Sequence, residues 1–305
     1  MRYLVTGAAG FIGSQLLRSL IEHGHEAIGW DAFTGYYDPA LKAENAAGLP
    51  VERLDLAEDA LDFDGLDGIF HLGGQPGVAS FGGVFPVYVR QNVIASQRLF
   101  EVAAAAGVRV VFASSSSIYG DAASYPTPED AVPSPLSPYG ITKLACEHLA
   151  RAYASEFELD VVTVRYFTIY GPRQRPDMAF TKMVSCLVEG RPFDLYGDGK
   201  QSRSFTYVDD AVEATIAAMQ RGARGSIFNV GGGTEVSMLE AIEVLGRIAK
   251  RRLEVARMPR REGDAVRTAA DTTRIRAALG WEPTTPFEDG LAAQFRWAAD
   301  RVAAA

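Results

Sequence analysis

The sequence predicts an α/β protein: a doubly wound parallel sheet with helices on both faces and a smaller C-terminal unit. Three observations lead there. Short apolar runs rich in Val, Ile and Phe alternate with amphipathic stretches through the first half. A cluster of glycines directly follows the first run. Beyond Thr168 the rhythm changes to segments broken by Pro, Arg and Gly. Strand and helix in alternation imply crossover units, and these build parallel sheets.

The elements follow in order. Residues 3–5 read as a buried strand, 11–23 as an amphipathic helix and 26–29 as a second strand. Residues 68–72, 108–113 and 161–166 continue the sheet, and 89–106 and 139–156 are the helices between them. Residues 171–177 form a turn rich in Pro, Arg and Asp, followed by a helix near 179–189 and a glycine-broken segment around 196–201. The run 226–230 is one more strand and 238–250 one more helix. The Ala-rich stretch 292–305, interrupted by Arg296, Asp300 and Arg301, reads as a surface helix.

Composition narrows the function. Hydrophobic residues make up 48% of the 305, enough for a sizeable core, which excludes a disordered tail or a small disulfide scaffold. Thirty Lys and Arg against 38 Asp and Glu leave a charge of −8, and no basic run is present. Nucleic acid and anionic membranes are therefore poor partners. No stretch reaches the ~18 uninterrupted apolar residues of a membrane span. No basic segment leading into a long apolar one opens the chain, so an export signal is not expected. Cys146 and Cys186 lack metal-ligand spacing, and a reducing, cytoplasmic setting fits them best. His23, His25 and His148 have no companion ligands, so no metal is expected; His71 ends a strand and reads as a packed or hydrogen-bonded residue.

The segment TGAAGFIG places Gly7, Gly10 and Gly13 between a strand and a helix. There the first allows a tight turn, the second lets backbone approach a pyrophosphate, and the third lets the helix pack on the strand. The helix N-terminus adds free N–H groups and a partial positive charge. The spacing is one residue longer than the commonest fingerprint, and a purely structural turn could use the same glycines. Asp31 follows Gly13 at roughly the 20-residue distance of a ribose-binding acid. A carboxylate there accepts from both adenosine hydroxyls and repels a 2′-phosphate, which favours NAD over NADP; the bland alternative is a strand-end turn residue. Asp55 and Leu56 follow a strand-like run and either flank an adenine or, for Asp55, cap a helix. The expected division is a Rossmann-type NAD-binding unit over 1–167, to which about 205–231 returns, and a smaller capping unit over 168–204 and 232–305.

Tyr139 and Lys143 stand one helical turn apart in SPYGITK, so both project from one face. An ammonium beside a phenol favours the phenolate, making Tyr139 a general base near neutral pH. The alternative is an ordinary amphipathic surface. The run FASSSSIYG closes a buried strand, placing hydroxyls at its C-terminal edge, where ligands bind in such sheets. Turn capping accounts for part of that run.

Taken together, TGAAGFIG, Asp31, HLGGQPGV, Asn92, SSSSIYG, YGITK, RYFTIYGP and SRSFTYVDD resemble the extended short-chain dehydrogenase/reductase family along nearly the whole chain. The resemblance implies an NAD-retaining enzyme acting on a sugar nucleotide, with Ser115, Tyr139 and Lys143 as the catalytic trio. It also implies cofactor contacts from Phe11 and Ile12 beside the glycines, from Leu72, Gly73, Gly74 and Gln75, and from Asn92, Ser114 and Tyr166. Where the family usually has alanines, this chain has Gly73 and Gly74. Tyr88 and Asn92 start the helix that borders the cofactor and dimer faces in the family, whose members often pair as homodimers.

Several reactions of the family share oxidation at carbon 4 of the sugar. Family dehydratases carry an Asp–Glu pair directly after the catalytic hydroxyl, where this chain has Ser116 and Ser117, which cannot serve as acid and base. Family decarboxylases usually have Glu at the position of Ser117. Epimerisation remains. YGPRQRPDMAF resembles the corresponding segment of UDP-glucuronate 4-epimerases, whereas hexose epimerases usually have Asn at Thr168. The expected reaction is thus UDP-glucuronate to UDP-galacturonate. A guanidinium fork suits a carboxylate, so Arg175 is expected to bind it with Thr168 in support, and Arg173 stands beside it; diphosphate binding or surface ion pairs are the alternatives. Gln75, Ser116 and Ser117 are further substrate contacts by resemblance. Arg203 and Arg261 match the family's diphosphate-binding arginines and Asp264 a nucleotide-ribose contact. Phe193, Leu195 and Tyr196 are candidates for a uracil slot or, equally, for the small unit's core. The rivals are UDP-glucuronate decarboxylation, 4-epimerisation of a neutral UDP-hexose, and a non-catalytic NAD-sensing module, against which the Tyr–Lys pair speaks.

Overall fold

The computed structural model describes residues 1–77, 83–260 and 266–304. Strand β1 (Arg2–Thr6) is buried along all but its first residue and turns into helix α1 (Phe11–Glu22), which seats Phe11, Leu16, Leu17 and Leu20 on the sheet. β2 (Glu26–Asp31) pairs with β1 in parallel, Leu4 opposite Ile28. Helix α2 (Pro39–Ala46) starts at Asp38, whose carboxylate accepts from the Ala40 N–H, with Pro at the first helical position; β3 (Val51–Arg53) then adds an edge. β4 (Gly68–His71) returns to the other side of β1. α3 (Phe85–Tyr88) runs through a π-helical turn (Val89–Ile94) into α4 (Ala95–Ala106), and β5 (Arg109–Ser115) follows. α5 (Pro138–Glu156), capped by the Ser137 hydroxyl on the Gly140 N–H, leads into β6 (Val161–Tyr166).

From here the chain alternates between two bodies of structure. β7 (Thr168–Tyr170), α6 (Ala179–Glu189), β8 (Phe193–Tyr196) and β9 (Ser202–Tyr207) belong to small sheets, while α7 (Val208–Arg221) and β10 (Ile227–Val230) return to the large one. β11 (Thr234–Ser237), α8 (Met238–Ile248), β12 (Val255–Met258) and β13 (Arg267–Thr268) complete the small sheets, and α9 (Thr273–Leu279) and α10 (Phe287–Ala304) follow. The large sheet has seven strands, in the order β10-β6-β5-β4-β1-β2-β3, and every adjacent pair is parallel. Chain direction across the sheet reverses between β1 and β4, so their following segments leave toward opposite faces and open a crevice at the strands' carboxyl ends.

Two apolar layers hold the sheet. Leu16, Leu17, Val5, Phe70, Val212 and Phe228 fill one face under α1 and α7; Leu4, Ile69, Leu99, Phe100, Phe112 and Cys146 fill the other under α4 and α5. Each such side chain, fully buried, contributes about 1.5–3 kcal/mol. A third cluster around Tyr170, Phe180, Phe205, Leu245 and Phe287 is the core of the small unit.

Four helical segments depart from the sequence expectation. α7 packs beside α1 on the sheet, and its buried face is largely Ala211, Ala214, Ala217 and Ala218, whose weak apolar character contrasts little with the exposed stripe of Asp209, Glu213 and Gln220. α2 is too short for a periodic signal, although its Asp-Pro start is a legible cap. α9, with Trp281 behind it, packs Ile275 and Leu279 into the layer under α7, so part of the 232–305 stretch lies on the large sheet. The helix expected over 89–106 begins earlier, at Phe85, and carries the π turn.

Candidate active site

An open cleft of about 1090 Å³, its mouth included, lies over the carboxyl ends of β1, β2, β4 and β5. Its floor is the glycine turn. Gly7 has φ of +70°, and a Cβ there would lie 2.9 Å from the Gly73 nitrogen; one on Gly13 would lie 2.2 Å from the Gly7 carbonyl oxygen. The turn, the end of β4 and the start of α1 therefore close up only as glycine backbone. Gly10 caps α1 without any side-chain partner, which leaves first-turn N–H groups for an anion in the cleft, where Gly10, Phe11, Ile12 and Gly13 all stand.

Asp31 ends β2 buried in the cleft wall. Its carboxylate accepts from the Ala9 N–H at 3.1 Å and the Phe33 N–H at 2.7 Å, and the Lys42 ammonium stands 3.6 Å away. Burial lowers the Lys42 pKa, an effect that Asp31 opposes. Leu56 lines the cleft. Asp55 is absent from the lining: its side chain accepts from the Ala57 N–H, Arg90 and Gln91, which hold it below its ordinary value against the upward push of burial. Asp55 thus caps a turn rather than the helix expected of it.

Leu72, Gly73, Gly74 and Gln75 edge the cleft after β4. Asn92, from the π turn, sits behind them: its Oδ1 accepts from the Gln75 N–H at 2.7 Å, and its amide donates to the Gln75 carbonyl at 3.2 Å and to Thr142 at 3.0 Å. Asn92 thus ties this loop to α5 and is a positioning residue outside the lining. His71 lies wholly buried below, with Nδ1 2.8 Å from the Thr6 hydroxyl and Nε2 2.9 Å from the Ser96 hydroxyl; burial first, then the Lys143 charge, push its pKa down to about 3. It is a neutral, packed imidazole, as expected.

Tyr139 and Lys143 both line the cleft from the first turns of α5. The buried Lys143 ammonium donates to the Ala113 carbonyl at 2.8 Å and stands 6.0 Å from the centre of the Tyr139 ring. Ser114, also in the lining, donates to Glu147, itself in a buried ion pair with Arg165 at 2.7 Å. Arg165 goes on to the Tyr119 hydroxyl and the Glu129 carbonyl, so a buried polar network braces β5, α5 and β6. Ser115 ends β5 outside the lining; its hydroxyl accepts from the Ser117 N–H at 3.1 Å and donates to the Ser117 hydroxyl at 3.2 Å. Ser116 and Ser117 form the short turn it caps. Tyr166 lines the cleft with its hydroxyl 2.6 Å from Thr215, and burial raises its pKa.

Arg175 reaches the same cleft, which Tyr36 and Tyr139 also line. Thr168 is half-buried at the start of β7. Arg173 lies elsewhere, with φ of +67°, its guanidinium 3.5 Å from Asn45 and its pKa lowered by burial and by Arg18. Phe193 and Leu195 are buried in the small unit's core, away from the cleft lining, with the half-buried Tyr196 next in β8. That favours the core reading over a uracil slot for the first two. Arg203 stands on β9, donating to the Ser202 carbonyl. Arg261 and Asp264 lie outside the described residues.

Sequence reasoning passed over Trp30, Thr34, Tyr36, Tyr37 and Lys42, which line the cleft from β2 through α2. The available signal was position: a polar, aromatic stretch directly after Asp31, leading to the Asp-Pro helix start. Among the described residues no cluster of His, Cys, Asp or Glu could hold a metal.

A glycine cradle at the switch point of a doubly wound sheet, an acid closing β2, and a tyrosine and lysine one turn apart in one cleft define a dinucleotide-binding protein of the short-chain dehydrogenase/reductase type. Comparison narrows this. The chain belongs to the NAD dependent epimerase/dehydratase family, whose model matches residues 3–231. It is 38% identical over 303 residues to an uncharacterized UDP-glucose epimerase of Bacillus subtilis, covering 95% of this chain and 96% of that one. It is 34% identical over 315 residues to the UDP-glucuronate 4-epimerase of Thermodesulfobacterium geofontis, covering 98% and 97%. Its fold is similar to the crystal structure of UDP-glucuronic acid 4-epimerase from Bacillus cereus in complex with UDP-glucuronic acid and NAD, with a TM-score of 0.92, 35% identity and coverage of 99% and 100%.

Proposed function

We propose that this protein is an NAD-dependent UDP-glucuronate 4-epimerase, interconverting UDP-glucuronate and UDP-galacturonate through a 4-keto sugar. The observation that carries this is the meeting of the glycine cradle, Tyr139, Lys143 and Arg175 in one cleft. The residues fit NAD: the close approach at Gly7 and Gly13 leaves bare backbone for a pyrophosphate, and buried Asp31 suits an adenosine ribose. Leu56 would flank the adenine, and Leu72, Gly73, Gly74 and Gln75, with Ser114 and Tyr166, the nicotinamide half. When bound, NAD supplies the acceptor and donor of the carbon-4 hydride.

The chain's own groups do the rest. Tyr139 accepts the proton of the 4-hydroxyl as the carbon–hydrogen bond breaks and returns it from the same side chain. Lys143, its ammonium fixed by the Ala113 carbonyl, sets a positive charge beside the Tyr139 ring. Ser115 would hold a substrate hydroxyl, with Ser116 and Ser117 beside it. Arg175, supported by Thr168, would bind the uronate carboxylate, and Arg203, Arg261 and Asp264 the nucleotide. Holding that carboxylate matters because the oxidised sugar is a β-keto acid, which loses carbon dioxide once the bond to its carboxylate aligns with the ketone π system.

One observation favours a second reading, 4-epimerisation of a neutral UDP-hexose: one edge of the Arg175 guanidinium is already occupied by Asp177. We further propose the division 1–167 with 205–231 against 168–204 with 232–305, except that α9 and Trp281 pack back on the large sheet, a cytoplasmic setting supported by two buried free cysteines, and a homodimer supported by exposed Ile94 and Ile141 beside and on the long helices. No helix among the described residues is long and apolar enough to cross a membrane.

The test is incubation with UDP-glucuronate and no added NAD, followed by mass and proton NMR. The expected product is an epimer of unchanged mass; loss of carbon dioxide, or turnover of UDP-glucose alone, would refute the assignment. Tyr139→Phe should lower kcat by roughly 10²–10⁴ while NAD stays bound, and unaltered turnover would remove Tyr139 from the mechanism.

A further inference from the structure

We infer that Asp177 and Tyr36 form a positioning pair that aims Arg175 at the sugar carboxylate and thereby decides between epimerisation and loss of carbon dioxide. The inference rests on the epimerase reading above. Arg175 donates from Nε to one Asp177 oxygen at 3.0 Å and from Nη2 to the other at 3.1 Å. These two bonds take one edge of a planar fork with five N–H groups, and the Nη1 edge is left to face a ligand. A plane held by two bonds along one side cannot turn, so Asp177 sets the direction of the other side.

Asp177 is itself tied. The Tyr36 hydroxyl donates to its Oδ2 at 3.2 Å, the oxygen that also receives Nη2 of Arg175. Tyr36 comes from the segment between β2 and α2, on the cofactor side, and lines the cleft together with Arg175. Its hydroxyl is wedged against the loop after β4: a Cβ on Gly77 would lie 2.2 Å from it. The chain of contacts thus runs from the Gly77 backbone through Tyr36 and Asp177 to Arg175. It joins the two sides of the cleft.

Electrostatics agree with this arrangement. Burial alone would raise the Asp177 pKa, but the Arg175 hydrogen bonds and charge, with the Tyr36 hydroxyl, hold it below its ordinary value. The pair stays ionised through the neutral range and nearly cancels its own charge. A substrate carboxylate is therefore selected by the geometry of a fixed N–H edge more than by net attraction, and it must lie in the guanidinium plane to make two bonds. That plane holds the bond from carbon 5 to the carboxylate out of line with the carbon-4 carbonyl. If the plane tilts, that bond can break: its electron pair enters the enolate between carbons 4 and 5, carbon dioxide leaves, and a proton is taken up at carbon 5. No further co-reactant is needed.

The experiment compares wild type, Asp177→Asn, Tyr36→Phe and Asp177→Glu as NAD-loaded full-length enzymes with UDP-glucuronate, reading the ratio of decarboxylated to epimerised product by mass. Asp177→Asn should raise that ratio about tenfold, equivalent to roughly 1.4 kcal/mol. It should lower kcat for epimerisation more than it changes KM. Tyr36→Phe, which removes a single hydroxyl and carries the test should Asp177→Asn fail to fold, should raise the ratio about threefold; Asp177→Glu should restore part of the wild-type ratio. A merely structural pair would lower turnover and leave the ratio alone. If wild type epimerises UDP-glucuronate and both Asp177→Asn and Tyr36→Phe keep its product ratio, the positioning inference is overturned and the function stands. If wild type does not epimerise UDP-glucuronate, the function reading fails first.

Discussion

Lowering the pH from about 8 to about 5 should remove about 2 kcal/mol of stability through His71 alone. The folded imidazole is wholly buried between the Thr6 and Ser96 hydroxyls, with the Lys143 ammonium near, and its pKa stands at about 3 against an ordinary 6.5. A depressed value means that the unfolded chain binds the extra proton. Stability is therefore complete above about pH 6.5 and declines as the pH falls toward 3. At about pH 5 the unfolded ring is nearly all charged and the folded ring nearly all neutral. The loss is then the roughly 1.5 units between that pH and the ordinary value, at ~1.4 kcal/mol each. Urea unfolding followed by tryptophan fluorescence, at both pH values, on wild type and His71→Asn measures it. The variant should start less stable and lose about 2 kcal/mol less on acidification, because other groups titrate alike in both proteins. Equal losses in the two proteins, within about 0.5 kcal/mol, would refute the burial argument.

Two further outcomes test the cleft. Gly13→Ala places a methyl 2.2 Å from the Gly7 carbonyl, so the helix must shift off the turn. Purified variant should carry little bound dinucleotide and lose roughly 1–3 kcal/mol of stability, readable by cofactor absorbance and by Tm. Asp31→Ser removes the carboxylate proposed to accept from the ribose hydroxyls and leaves Lys42, 3.6 Å from the former carboxylate, as an uncompensated cation. NAD affinity should fall roughly ten- to a hundredfold while NADP binding rises, in paired titrations; an unchanged preference would remove Asp31 from cofactor selection.

Much of the fold was legible locally. Six of the large sheet's seven strands were visible as apolar runs because a strand buried on both faces needs no alternation, whereas the short, largely exposed edge strand β3 carries no such run. α1 and α5 were visible because each has one wet face. α7 was not, since its buried face is built largely of alanines, which contrast weakly with its exposed stripe of Asp209, Glu213 and Gln220. The site divided along the same line. Gly7, Gly13, Asp31, Tyr139 and Lys143 sit within short stretches whose spacing already states the geometry, and all five line the cleft. Tyr36 and Asp177, far apart in sequence, carried no such signal, and neither did the contacts of Asp55 with Arg90 and Gln91.

The amino-acid order by itself therefore determined the strand–helix alternation, the turn that only glycine backbone can make, and the tyrosine one turn before its lysine. These depend on steric and periodic rules acting over a few residues. Only the tertiary structure decided that Arg175 enters the cleft while Arg173 turns to Asn45, that Phe193 and Leu195 belong to a core, and that Tyr36 reaches across to Asp177. Those outcomes turn on which strands lie side by side and where the small unit docks. Contacts of that kind come from packing the whole chain at once, and no local stretch contains them.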